Sequence, residues 1–168
     1  MMENKSKLRK LGHTEMMVTP IGLGCWQFSK QKNLAGKFWP TLENNLIDRI
    51  VALSIEGGIN WFDTAELYGN GASEKALSSS LDIAEKKPGE ILIATKWWPA
   101  LRFSSNIIKT IDERIKALSP YSIDLYQIHG YDPVTPIEET VRALDDVVRS
   151  GKVRYVGFCN LAAWHAMK

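Results

Sequence analysis

Only two cysteines and three histidines occur in this chain of 168 residues, and that scarcity removes several chemistries at the outset. Cys25 and Cys159 stand far apart and form no CxxC pair. Neither a disulfide framework nor a zinc site is indicated, and free buried thiols are expected. His13, His129 and His165 show no HxxxH spacing and no carboxylates placed as a ligand set, so a metal centre is rejected. No apolar run approaches the ~20 residues of a membrane span. The start, Met1-Met2-Glu3-Asn4-Lys5-Ser6-Lys7, lacks the apolar stretch of a secretory signal. A cytoplasmic protein without a membrane partner is therefore expected. Lys and Arg number 21 against 19 Asp and Glu, a net charge of +2, which leaves no footprint for a nucleic-acid partner.

What is present suits one core. The chain is 45% hydrophobic and 24% charged, and no low-complexity tract or linker divides it, so residues 1–168 read as a single domain. Lys7 to Gly12 and Met16 to Thr19 flank the turn-like His13-Thr14-Glu15, which predicts a small β-hairpin. Ile21 to Trp26 reads as a first buried strand. Thr41 is placed to cap a helix carrying Leu42, Leu46, Ile47, Ile50, Val51 and Ile55, stopped by Gly57-Gly58.

The alternation then repeats. Ile59 to Thr64 is strand-like, Ser73 to Glu85 helical with Leu77, Leu81 and Ala84 inward, and Ile91 to Thr95 a strand beyond the break at Lys86-Lys87-Pro88-Gly89. Ser105 is placed to cap a helix with Ile108, Ile111, Ile115 and Leu118 on one face, followed by a strand from Ile123 to Ile128. Thr135-Pro136-Ile137-Glu138 predicts a capped helix start with Pro136 at its first position, leading to Val141, Leu144 and Val148. Lys152 to Phe158 is the next strand, and Leu161 to Lys168 begins another helix.

Strands alternating with helices at about 30-residue spacing are βαβ units of a parallel sheet. Two architectures compete, an open doubly wound sheet and a (β/α)8 barrel. The glycines of Ile21-Gly22-Leu23-Gly24-Cys25-Trp26 lie inside the strand, with no third glycine opening a helix, which argues against a nucleotide-binding open sheet. Asp63, Tyr68, Lys96 and His129 fall at or just beyond successive strand ends, and function spread over strand ends favours the barrel. The expected fold is α/β of the (β/α)8 TIM-barrel type, incomplete, with about five β/α units and an N-terminal hairpin.

Asn60-Trp61-Phe62-Asp63-Thr64-Ala65-Glu66-Leu67-Tyr68-Gly69-Asn70-Gly71 resembles the hallmark segment of the aldo-keto reductases. The resemblance extends through Ala94-Thr95-Lys96, Asp124 to His129 and Gly151 to Gly157, in family order. It implies NADPH-dependent reduction of an aldehyde or ketone. By residue matching, Tyr68 is the acid that protonates the carbonyl oxygen, Lys96 stabilises the phenolate, Asp63 pairs with Lys96, and His129 orients the carbonyl. Taken singly, each of the four has a structural explanation; together they point to catalysis.

The resemblance also implies cofactor contacts from Gly24, Cys25, Asp63, Cys159 and Asn160. Cys25 stands where threonine is commoner and Cys159 where serine is usual, and a thiol is the weaker hydrogen-bond donor. Trp26, Trp97, Trp98 and His129 are the expected substrate wall. Gly69-Asn70-Gly71 invites a phosphate-loop reading, but the lysine and terminal glycine of such a loop are missing, so a turn is expected.

A full barrel has eight units in ~250 residues. Five are legible here, so the C-terminal units, which carry most of the family's grip on the cofactor, are expected to be lacking. An arc with open edges would tend to self-associate. The alternative to an enzyme is a truncated, non-catalytic aldo-keto reductase-like fragment or accessory subunit.

Overall fold

A computed structural model describes residues 8–30, 41–100 and 102–167. The expected start of the hairpin at Lys7 and the end of the last helix at Lys168 lie outside them. The hairpin is present as β1 (Arg9–Lys10) and β2 (Met17–Val18), paired antiparallel with Arg9 opposite Val18.

Five strands follow: β3 (Leu23–Gly24), β4 (Trp61–Asp63), β5 (Leu92–Trp97), β6 (Ile123–Ile128) and β7 (Val153–Phe158). Every neighbouring pair is parallel, and the spatial order is the sequence order, β3-β4-β5-β6-β7. A doubly wound sheet reverses order at a switch point, whereas this one advances in a single direction, as a barrel wall does. Helices α1 (Asn44–Glu56), α2 (Ala72–Ile83), α3 (Ser105–Leu118) and α4 (Ile137–Arg149) alternate with the strands, and α5 (Ala163–Ala166) follows β7.

Strand alternation divides the side chains between two faces. Phe62, Ile93, Trp97, Tyr126 and Ile128 face the helices and form the core with Ile47, Val51, Leu77, Leu81, Ile107, Ile111, Leu118 and Leu144. The opposite, concave face carries Trp61, Asp63, Leu92, Ala94, Lys96, Leu125 and Gln127, which with Leu11, Met16 and Val18 of the hairpin line a cavity of about 430 Å³. The hairpin is tied across the arc: Asn60 Nδ2 donates to Met17 O at 2.8 Å, Trp61 Nε1 to Thr19 O at 3.0 Å, and Glu15 N to Tyr155 Oη at 3.0 Å. These bonds close the N-terminal end of the strands and leave the C-terminal end as the accessible rim.

Several local expectations are corrected. The first strand shrinks to Leu23–Gly24; Ile21 is 70% exposed, and the chain turns into a 3-10 helix at Trp26–Ser29. The glycines flanking Leu23 contribute little strand propensity. Gly22 has a packing reason, because a Cβ there would lie 2.2 Å from the Trp61 ring.

Thr41 does not cap α1, which starts at Asn44 after Glu43. Ser105 is the first residue of α3, after Ser104, and makes no side-chain cap. Ile108 is 46% exposed while Ile107 is buried, so the inward stripe of α3 runs Ile107, Ile111, Arg114, Leu118. Ala84 follows the end of α2 and is only partly buried, and Val141 is 45% exposed. Pro136 sits outside α4 as its N-cap, and the Thr135 hydroxyl donates to Arg102 O at 3.4 Å instead of capping. Glu138 and Glu139 in the first turn meet the helix dipole there.

Candidate active site

Lys96 faces the concave side near the end of β5 and is 3% exposed. A buried ammonium requires compensation. Asp63, at the end of β4, supplies it through Oδ2 at 2.6 Å, and Thr64 O accepts a second bond at 2.8 Å. The parallel ladder continues beyond β4 through Thr64 N to Ala94 O at 2.8 Å and Glu66 N to Lys96 O at 3.2 Å, and then breaks into a turn.

Tyr68 stands on that turn. Gly69, Asn70 and Gly71 have φ of 70°, 51° and 86°, a run of left-handed residues for which glycine and asparagine are suited. At Gly69 a Cβ would also lie 2.1 Å from Ser29 O, so the segment is a tight turn that fixes Tyr68, as the sequence predicted. Its ring stacks on Trp26 with centroids 5.9 Å apart and meets His129 edge-on at 5.4 Å. Lys96 Nζ lies 5.3 Å from the ring centroid. Burial first, and then the charge of Asp63, push the phenol up to about 12.

His129 follows β6, where its N–H donates to Trp97 O at 2.8 Å. Its ring is 7% exposed and packs edge-on against Trp98 at 5.5 Å. Burial, and then the neighbouring Lys96 charge, lower its pKa to about 4, so the imidazole is neutral at physiological pH. Its Nδ1 is buried without a hydrogen-bond partner among the described residues.

The expected cofactor and substrate residues divide. Gly24 is open, with no atom within 4 Å of where a Cβ would stand. Cys159 lines the cavity, and its Sγ accepts from Asn160 Nδ2 at 3.3 Å, which also donates to His129 O at 3.1 Å.

Cys25 is corrected. Its thiol is fully buried and pushed far above the ordinary thiol range, its N–H donates to Asp63 O at 2.8 Å, and its carbonyl accepts from Ser73 Oγ at 2.6 Å. The thiol donates to Leu23 O at 3.7 Å, so each polar group of Cys25 has a partner within the chain. Trp97 lies on the other face of the sheet from the cavity. Neighbouring strand residues face opposite sides, so with Lys96 inward, Trp97 points into the helix layer, fully buried, its indole donating to Asn106 Oδ1 at 3.0 Å. Trp26 and Trp98 remain at the rim.

Two supporting carboxylates escape the sequence reading. Glu66, 5% exposed, accepts from Trp98 N at 2.7 Å and pairs with Arg102. Glu74, fully buried, accepts from Thr95 Oγ1 at 2.6 Å and lies 3.0 Å from Arg114 Nη1, an ion contact without hydrogen-bond alignment. Spacing was the available signal for the second pair. Glu74 shares the inward stripe of α2 with Leu77 and Leu81, and Arg114 that of α3.

Among the described residues no group of three His, Cys, Asp or Glu side chains is placed to hold a metal, and no helix is long and apolar enough to cross a membrane.

Known proteins resemble this chain in sequence and in fold. The Aldo/keto reductase family model matches residues 20–168. The 6-dehydroglucose reductase of Novosphingobium aromaticivorans is 31% identical over 163 residues, covering 90% of this chain and 51% of that protein. Aldo-keto reductase YhdN of Bacillus subtilis is 28% identical over 162 residues, covering 90% and 46%. Among solved structures, the thermostable aldo-keto reductase Tm1743, crystallised with the inhibitor epalrestat, superposes with a TM-score of 0.79 at 26% identity, covering 94% of this chain and 55% of that one. This chain belongs to the aldo/keto reductase family. It spans about half the length of the curated relatives it matches, and its five-stranded arc corresponds to part of their TIM-type barrel.

Proposed function

We propose that this chain carries the proton-transfer centre of an NADPH-dependent oxidoreductase that reduces an aldehyde or ketone to an alcohol, with Tyr68 as the acid. One observation carries the reading: at the rim of a parallel arc, a buried Lys96 paired with half-buried Asp63 and a neutral His129 converge on a single tyrosine ring.

The residues at the rim fit the nicotinamide end of the cofactor. Gly24 leaves open space beside Asp63, and Asn160, with its Nδ2 held by His129 O and Cys159 Sγ, keeps its Oδ1 to accept from a carboxamide. Cys159 would add only a weak thiol contact. When bound, NADPH supplies the hydride to the carbonyl carbon.

The rest belongs to the protein. His129, neutral, donates a ring N–H to the carbonyl oxygen and orients it. Tyr68 Oη gives its proton to that oxygen as negative charge develops there. Lys96 stabilises the phenolate left behind, while Asp63 holds the ammonium in place. Burial and the Asp63 charge hold the resting phenol above its ordinary value, and Asp63 shares the Lys96 ammonium. Transfer still runs downhill, since an alkoxide is a stronger base than a phenolate. Trp26 and Trp98 wall the substrate and keep water from the reacting oxygen.

The pH dependence of kcat/KM tests these roles. The acid limb belongs to His129 gaining a proton at about 4, and the alkaline limb to Tyr68 losing one at about 12. The reduction is therefore expected to show neither limb near neutrality. An acid or alkaline limb falling near pH 7 would contradict the assignment.

A further inference from the structure

We propose that Glu66 is a positioning residue of this site: its carboxylate latches the loop after β5 so that Trp98 seats His129 against Tyr68. The inference rests on the roles given to Tyr68 and His129 above.

Glu66 lies two residues before Tyr68 and is 5% exposed. Its Oε1 takes the backbone N–H of Trp98 at 2.7 Å together with the Arg102 guanidinium, so one oxygen holds two points of the loop between β5 and α3. Its own backbone is fixed from both sides, N–H to Lys96 O and carbonyl from Gly71 N at 2.9 Å. The Trp98 ring then meets His129 at 5.5 Å, and His129 meets Tyr68 at 5.4 Å. Releasing the latch frees one wall of the site without touching the proton donor. A carboxylate used only to satisfy Arg102 would not need the Trp98 amide.

The test compares Glu66→Ala with Glu66→Gln in the intact protein. Glutamine keeps an oxygen for the Trp98 amide, and alanine does not. Glu66→Ala is expected to raise KM for the carbonyl compound about tenfold, the scale of one lost charge-assisted hydrogen bond, with NADPH affinity held within about twofold. Glu66→Gln is expected to stay within about threefold of the parent in KM.

A second readout needs no turnover. In NMR titrations of the His129 ring protons, the midpoint near 4 should rise toward the ordinary histidine value in Glu66→Ala, because the ring is wetted while Lys96 and Tyr68 still face it. It should stay low in Glu66→Gln. Should Glu66→Ala not fold, Trp98→Ala is expected to give the same rise. An unmoved midpoint in whichever of these is measured, or Glu66→Gln as impaired as Glu66→Ala, would overturn the latch. Absence of carbonyl reduction in the parent protein would instead sink the reductase reading and leave the titration to decide the role of Glu66.

Discussion

Replacing Tyr68 with phenylalanine is expected to slow carbonyl reduction by about 10²–10⁴, the range attributed to a positioned general acid. The change removes one hydroxyl and keeps the ring, so the stack on Trp26 and the edge contact with His129 persist. Fold and NADPH affinity should survive, which separates loss of the proton donor from loss of the site. Steady-state rates at saturating carbonyl compound, with cofactor binding followed by fluorescence, check both parts. Turnover equal to that of the parent would remove Tyr68 as the acid and return the role to another group at the rim.

The second large effect is on stability. Above about pH 8, Arg114→Met is expected to cost about 3–5 kcal/mol, because it leaves Glu74 as an uncompensated carboxylate in a fully buried position. Glu74 already sits at about 7 against an ordinary 4.5, raised by burial and held from going higher by Arg114 and Thr95. A carboxyl raised in the folded state contributes stability that is full below its unfolded pKa of 4.5 and is lost as pH rises through its folded pKa. Removing the guanidinium raises that folded value further. The penalty of Arg114→Met should therefore be small below about pH 5 and grow above about pH 8. Urea melts at those two limits measure it, and Arg114→Met with Glu74→Gln should recover part of the loss. A penalty independent of pH would mean that Glu74 is not the group left stranded.

The helices and strands were legible where periodicity and burial agreed. The strand from Ile123 to Ile128 stands as expected, and Leu77 and Leu81 point inward, because apolar spacing and position along the element told the same story. Helix starts were less legible. Pro136 suits either the first helical position or the one before it, and tertiary contact with Arg102 drew Thr135 away from capping. The stripe of α3 moved by one residue for a similar reason: Ile107 and Ile108 are equivalent by hydropathy, and the buried ion pair of Arg114 with Glu74 selects the face.

Within the site, the four ionisable residues at strand ends do come together, since parallel strands present their C-terminal ends on one rim. The side assigned to Trp97 was decided by strand parity, which could be counted from Lys96 once that residue was placed inward. The burial of the Cys25 thiol was legible, whereas the 3-10 helix that cuts β3 short carries no local mark. Glu66 carried no local signal. Its partners stand 32 and 36 positions away, Trp98 and Arg102, and only the fold brings them within reach.

The most direct test of the central claim is stoichiometric. The intact protein, given NADPH and a panel of aldehydes and ketones, should consume one reduced nicotinamide for each carbonyl group converted to an alcohol, and Tyr68→Phe should slow that consumption by about 10²–10⁴ while still binding NADPH. Bound NADPH with no nicotinamide oxidised across the panel would contradict the reductase reading and leave the non-catalytic one.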